Sequence, residues 1–80
     1  MLKVNIPDNY LIICLKTNEV FSGKVCDDNL TLVGKCRDLK EAISLAMEFE
    51  KFLWEMGSLL QYGTHFYENL KGFNVFREVE

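Results

Sequence analysis

Short runs of apolar residues fill the first half of the chain, and turn-forming residues separate them. Alternating apolar and polar side chains have the period of a half-buried β-strand, and Asn, Asp and Gly favour the turns between strands. The pattern therefore predicts a β-meander. Its strands are expected at residues 10–16, 20–26 and 30–33, and a further strand at residues 2–6 either pairs with them or does not.

A helix is predicted directly after the meander. Asp38 is a suitable N-cap, because its carboxylate can accept a hydrogen bond from the backbone N–H of Glu41, and Glu41 can reach back to the cap. The helical pattern continues to about Met56, and Gly57 suits the left-handed residue that ends many helices.

The last part of the chain predicts two more elements. Thr64 is expected to cap a short second helix at residues 65–70, and residues 73–79 alternate as a final strand. The predicted fold class is α+β, with a small antiparallel sheet of three to four strands packed on one long helix plus a short second helix, in the order β-β-β-α-α-β. A chain of 80 residues is expected to form one domain, residues 1–80.

The long helix carries more apolar surface than one sheet can cover. On a helical wheel its apolar arc spans roughly 220°, about twice the width that faces a core. In one interpretation, the second helix and the last strand cover the flanks of this arc. In the other, part of the arc stays exposed and docks a partner, because methionine and aromatic residues are enriched in interfaces. The residues expected to bind a partner are Met47, Glu50, Phe52, Trp54 and Met56.

Glu50 is the one acidic residue inside the apolar arc. A carboxylate at such a position needs a partner or a path to water. We expect a position at the rim of the core or a salt bridge within the chain. The alternatives are a functional acid and a charged contact with a partner. The cations expected to form the internal salt bridge are Lys24, Lys35 and Arg77.

Charge and composition narrow the class of protein. Hydrophobic residues make up 49% of the chain and its formal net charge is -3, which argues against disorder. Lys and Arg are scattered, with the nearest approach to a cluster at Lys35, Arg37 and Lys40, so nucleic-acid binding is disfavoured. No signal peptide or membrane-spanning run is visible, and we expect a cytoplasmic protein with reduced cysteines and no membrane partner.

Cysteine and histidine are the candidates for metal or thiol chemistry. The four residues are Cys14, Cys26, Cys36 and His65, but the closely spaced cysteine pair of structural zinc sites is missing. Cys36 is the best candidate nucleophile, because it precedes a helix N-terminus, which lowers a thiol pKa. Nothing in the sequence joins it to His65. The sequence therefore predicts no enzyme, no metal and no cofactor.

Residues 34–46, GKCRDLKEAISLA, resemble the strand-to-helix junction of HicB-type antitoxins, which place a small β-meander before a helix that opens in an acidic, alanine-containing segment. In size, acidity and lack of motifs the chain is also similar to small phage-encoded inhibitors, including anti-CRISPR and other anti-defence proteins. The leading hypothesis is a non-enzymatic protein–protein interaction module, a phage-type inhibitor that occludes a larger protein partner. The alternatives are an antitoxin-like regulatory homo-oligomer, such as a homodimer, and a nucleic-acid-binding accessory protein.

Overall fold

The computed structural model describes residues 9–24, 28–55 and 64–77. This part of the chain is α+β, as predicted, and holds a five-stranded mixed sheet and one helix. The elements in chain order are β1 (Asn9–Cys14), β2 (Glu19–Lys24), β3 (Asn29–Lys35), α1 (Leu39–Glu55), β4 (Thr64–Tyr67) and β5 (Asn74–Phe76). The order of strands across the sheet is β4-β1-β2-β3-β5.

The predicted meander is confirmed as the centre of the sheet. β1 pairs antiparallel with β2, and β2 pairs antiparallel with β3, with a register shift between Val20 and Phe21. Asn18 adopts a φ of 60° in the turn from β1 to β2, a left-handed conformation that Asn tolerates better than most residues. The backbone oxygen of Asn18 also accepts a hydrogen bond from the N–H of Cys36, which ties this turn to the end of β3.

The prediction of a short second helix is wrong. Residues 64–67 form β4, which pairs parallel with β1 at one edge of the sheet, and β5 pairs parallel with β3 at the other edge. The sheet is therefore mixed and has five strands, not an antiparallel sheet of three to four. Three of the four residues, Thr64, Phe66 and Tyr67, are of types that favour strands, and the edge of β1 offers the backbone groups with which they pair. The strand predicted at residues 2–6 lies outside the described residues.

The helix begins at the predicted cap. The Asp38 carboxylate accepts a hydrogen bond of 2.8 Å from the backbone N–H of Glu41. The Glu41 side chain reaches back one residue further than a standard capping box, and accepts a bond of 2.8 Å from the N–H of Arg37. The last described helical residue is Glu55, and the predicted end at Met56 and Gly57 lies outside the described residues.

The helix covers one face of the meander. Leu11, Ile13 and Val20 point to this face and form a fully buried cluster with Ala42 and Ala46 of α1. Because alanine side chains are short, the helix axis lies close to the sheet along this line. The partly buried residues that complete the cluster are Val33, Cys36, Leu45 and Phe49.

The opposite face of the sheet is covered by the chain between β4 and β5. Ile12, Cys14, Phe21 and Leu30 form the buried cluster there. The partly buried residues packed against it are Tyr10, Leu32, Leu70, Phe73 and Val75. Leu70 and Phe73 come from the chain between β4 and β5, so this segment replaces the second layer that a helix would otherwise supply.

The crossing from β4 to β5 contains a turn. The six residues 68–73 cross the sheet from one edge to the other and also return along the strand direction, because β4 ends beside Cys14 and β5 begins beside Asn29. In this turn Phe73 donates a hydrogen bond of 3.2 Å to the oxygen of Leu70, and Gly72 adopts a φ of 91°. This conformation favours glycine, because a Cβ would be strained there.

An ion pair between the buried carboxylate of Glu19 and the half-exposed side chain of Arg77 ties the residue after β5 to the meander. Glu19 is only 4% exposed, and Arg77 donates hydrogen bonds of 2.9 and 3.2 Å to its two carboxylate oxygens. Thr17 donates a third bond of 2.7 Å. The Arg77 guanidinium also lies 5.7 Å from the centre of the Phe21 ring. The hydrogen bonds from Arg77 hold the pKa of Glu19 below its usual value, against the opposing effect of burial.

We expect Glu19→Gln to destabilise the fold near neutral pH and to have little effect in acid. The unfolded carboxyl titrates at about 4.3, and the folded one titrates lower. The stabilisation is therefore fully present above the unfolded pKa and is lost as the pH falls through the folded pKa. Chemical denaturation of both proteins over this pH range measures the difference. Glu41→Gln is the control on an exposed pair and should change stability less. A stability difference that does not depend on pH would contradict the expectation.

We expect Gly23→Ala to lower the free energy of unfolding by about 1–3 kcal/mol, because the added Cβ overpacks the sheet. It would lie 2.8 Å from Leu30, 3.2 Å from the backbone oxygen of Asn29 and 3.3 Å from Tyr10. Gly34→Ala is the matched control. Its Cβ would meet only the tip of the Leu45 side chain closely, at 2.6 Å, and that side chain can move. Thermal and urea unfolding check the pair, and equal losses would contradict this argument.

Candidate functional site

The alanine residues of α1 determine which side of the helix stays exposed. Ala42 and Ala46 are its fully buried residues among those described, so they mark the direction that faces the sheet. On a helical wheel of about 100° per residue, angles are counted from Ala42 toward Ala46. The positions at about 60–140° on this scale point past the edge of the face that contacts the sheet. No described element packs over these positions as closely as the sheet packs on the alanines.

Five residues fall in this direction and form a continuous surface, which we call the helix stripe. They are Leu39, Ile43, Met47, Glu50 and Trp54. Met47 is 65% exposed and Trp54 is 67% exposed, and the two lie two helical turns apart. Leu39 and Ile43 are also exposed and extend the stripe toward the start of the helix. Large apolar side chains are thus presented side by side on one solvent-facing surface.

The second half of the stripe contains a shallow depression of about 310 Å³. Met47, Glu50, Lys51 and Trp54 line it. Two apolar side chains therefore flank one carboxylate and one ammonium group. Such a combination suits a protein surface, because apolar contacts supply affinity and placed charges supply specificity.

Glu50 occupies a half-buried rim position within the stripe. Of the three cations predicted to reach it, Arg77 pairs instead with Glu19 on the other face of the sheet. Among the described residues, no side chain forms an ion pair with Glu50. A partner that covers the stripe must therefore place a hydrogen-bond donor opposite this carboxylate.

The five residues predicted to bind a partner do not form one surface. Met47, Glu50 and Trp54 lie together, whereas Phe52 lies on the opposite flank of the helix. Phe52 is 51% exposed, and its ring is 5.7 Å from that of Phe49. Met56 lies outside the described residues. The sequence pattern did not separate these flanks, because that separation depends on which side of the helix contacts the sheet.

Three residues of the site were missed in the sequence. Leu39 and Ile43 belong to the stripe, and Lys51 lines the depression. The spacing of Ala42 and Ala46, one turn apart, was the signal that could have found them. Small residues at this spacing mark where a helix approaches its neighbour closely, and the rest of the wheel follows from that line.

The residues considered for metal or thiol chemistry are not brought together. Cys36 packs on the helix face of the sheet, while His65 lies on β4, beyond β1 and β2. Burial raises the pKa of the Cys36 thiol, and the negative charges of Glu41 and Asp38 raise it further. In the described ranges, no group of three or more His, Cys, Asp or Glu residues could hold a metal ion. Cys26 lies outside those ranges.

One of the three basic residues near the start of the helix is partly neutralised. Arg37 forms an ion pair of 2.9 Å with Glu41, and the Asp38 carboxylate is close by at the cap. The Glu41 hydrogen bonds raise the pKa of Arg37 and lower that of Glu41 in return. A cation already paired within the chain contributes less to binding a phosphate backbone.

Comparison with protein-family models, with curated proteins and with solved structures finds no match to this chain. The helix in the described part of the chain is not long and apolar enough to span a membrane.

We expect Trp54→Ala to leave the free energy of unfolding within about 0.5 kcal/mol of the wild type, because a side chain that is 67% exposed contributes little to the core. Met47→Ala should behave in the same way. Urea unfolding followed by circular dichroism measures both. Ala46→Leu is the contrasting variant, since it would force α1 away from the sheet and should destabilise strongly. A large loss of stability in Trp54→Ala would place this residue in the core.

Proposed function

We propose that the chain is a non-enzymatic protein-interaction module that binds a larger protein through the helix stripe. The observation that carries the proposal is the exposure of Met47 and Trp54 on one side of α1, next to a half-buried carboxylate. Exposed apolar groups of this size cost free energy in water, which burial against a partner recovers. A small phage-type inhibitor that occludes its partner, in the manner of anti-defence or anti-CRISPR proteins, is the specific form of this proposal.

Trp54 is the expected centre of the interface. Tryptophan is the residue type most often found at binding hot spots, and it acts by filling a pocket that excludes water. Met47 lies two turns earlier on the same line, and its flexible thioether adapts to irregular surfaces. Together they provide the apolar contact, while packing of Ala42 and Ala46 on the meander holds the helix in place.

Glu50 limits the chemistry of the partner. Burying a carboxylate without a hydrogen-bond donor costs roughly several kcal/mol of free energy. A protein that covers the stripe must therefore place a cation or another donor opposite Glu50. This requirement favours a partner surface with apolar residues around at least one Lys or Arg side chain.

We expect Trp54→Ala to weaken partner binding by at least ~2 kcal/mol, about 30-fold in affinity. The test is affinity capture from the lysate of cells that contain the partner, with the tagged chain as bait and quantitative mass spectrometry as readout. A protein captured by the wild type is then purified, and its affinity for each variant is measured by calorimetry. The activity of the captured protein is then measured with and without this chain, which tests whether the chain occludes it.

Phe52→Ala is the matched control, because it removes an aromatic ring of similar exposure from the opposite flank of the same helix. Partner binding should be retained in this variant and lost in Trp54→Ala and Met47→Ala, with all three folded. If the captured protein binds Trp54→Ala as tightly as the wild type, the stripe is not its contact surface and the proposal fails.

A further inference from the structure

The chain itself contains the cation that Glu50 requires from a partner. Lys51 is the next residue, it is exposed, and it lines the same depression. Viewed along the helix, Met47 and Trp54 define a line of contact, and the two charged residues lie about 50° to either side of it. The surface thus has an apolar centre, a negative flank and a positive flank at nearly the same height.

The arrangement of these flanks determines how a second copy could pack on the stripe. In a parallel pair of helices related by a two-fold axis, the negative flank of each copy meets the positive flank of the other. Glu50 of each copy then faces Lys51 of the other, and this contact occurs twice. In an antiparallel pair, the two negative flanks meet each other, so Glu50 of one copy faces Glu50 of the other. The charges therefore favour the parallel pair and oppose the antiparallel one.

We infer that the helix stripe is self-complementary and that a second copy of this chain occupies it, as a parallel two-fold dimer. Met47 packs on Met47 of the second copy, Trp54 packs on Trp54, and two Glu50–Lys51 ion pairs flank this apolar centre. The spacing of seven residues between Met47 and Trp54 is the repeat with which parallel helices keep one side in contact.

The inference rests on the proposed function in one respect, since both use the same surface. The dimer and the complex with a larger protein are therefore mutually exclusive, and the dimer is the form in which the stripe is covered before a partner binds. Each can still fail alone. A strict monomer that captures its partner removes only the dimer, and a dimer that captures nothing removes only the proposed function.

Sedimentation equilibrium of the purified full chain, from micromolar to millimolar concentration, tests the dimer. We expect a monomer–dimer equilibrium, and Trp54→Ala should raise its dissociation constant at least about 30-fold. Glu50→Lys and Lys51→Glu should each raise it about 10-fold at low salt, because symmetry makes each reversal act at two contacts. The double variant Glu50→Lys with Lys51→Glu exchanges the flanks and should return to within about threefold of the wild type.

Two control variants test whether the loss of dimerisation is specific to this interface or follows from any change in net charge or loss of an aromatic ring. Glu48→Lys changes the net charge by the same amount as Glu50→Lys, at an exposed position of α1 outside the stripe. Phe52→Ala removes an aromatic ring from the opposite flank of the helix. Both should dimerise like the wild type. Circular dichroism and thermal unfolding confirm that every variant is folded.

A wild-type chain that stays monomeric at all concentrations overturns the inference. A dimer that is insensitive to Trp54→Ala and to both charge reversals overturns it as well, because it then forms through another surface, such as the edge strands. Failure of the double variant to recover dimerisation, with the variant folded, overturns the parallel pairing of Glu50 with Lys51.

Discussion

Two of the three inner strands of the sheet, β1 and β2, are apolar on both faces, and the rest of the structure depends on this constraint. Leu11 and Ile13 of β1 point to one side, Ile12 and Cys14 point to the other, and all four are buried. Val20 and Phe21 divide β2 in the same way. A sheet of this kind needs a cover on each side. The helix provides one cover and the crossing from β4 to β5 provides the other, so residues that follow the meander in the chain cover both of its faces.

Features that arise from neighbouring residues could be predicted from the sequence. The cap at Asp38 and Glu41 needs only four residues, and the turn at Asn18 needs one residue that tolerates a positive φ. Alternation and β-branched residues were enough to place the meander, and the helical period was enough to place α1. The half-buried position of Glu50 agrees with the helical wheel, because Glu50 lies inside the apolar arc and part of this arc must pack on the sheet.

Features that depend on contacts between distant residues could not be predicted. Thr64–Tyr67 consists largely of residue types that favour strands, but four residues do not show which strand they will pair with, and the parallel pairing depends on the edge that β1 leaves free. The stripe depends on how the helix is rotated on the sheet, and this rotation follows from the close fit of Ala42 and Ala46 against Leu11, Ile13 and Val20. An apolar arc of roughly 220° is compatible with several rotations, so the arc alone does not separate Trp54 from Phe52, and the only signal in the sequence that does is the spacing of the two alanines.

The order of strands in the sheet has a consequence for how the molecule forms and opens. The meander closes short loops, whereas Leu11 pairs with Thr64 and Leu30 pairs with Val75, far away along the chain. Contacts between distant residues carry a larger loop-closure entropy and form more slowly. The hairpins of the meander can therefore form early, and the two outer strands join late. In local opening the outer strands should leave first, and amide hydrogens of β4 and β5 should exchange with solvent sooner than those of β1 and β2.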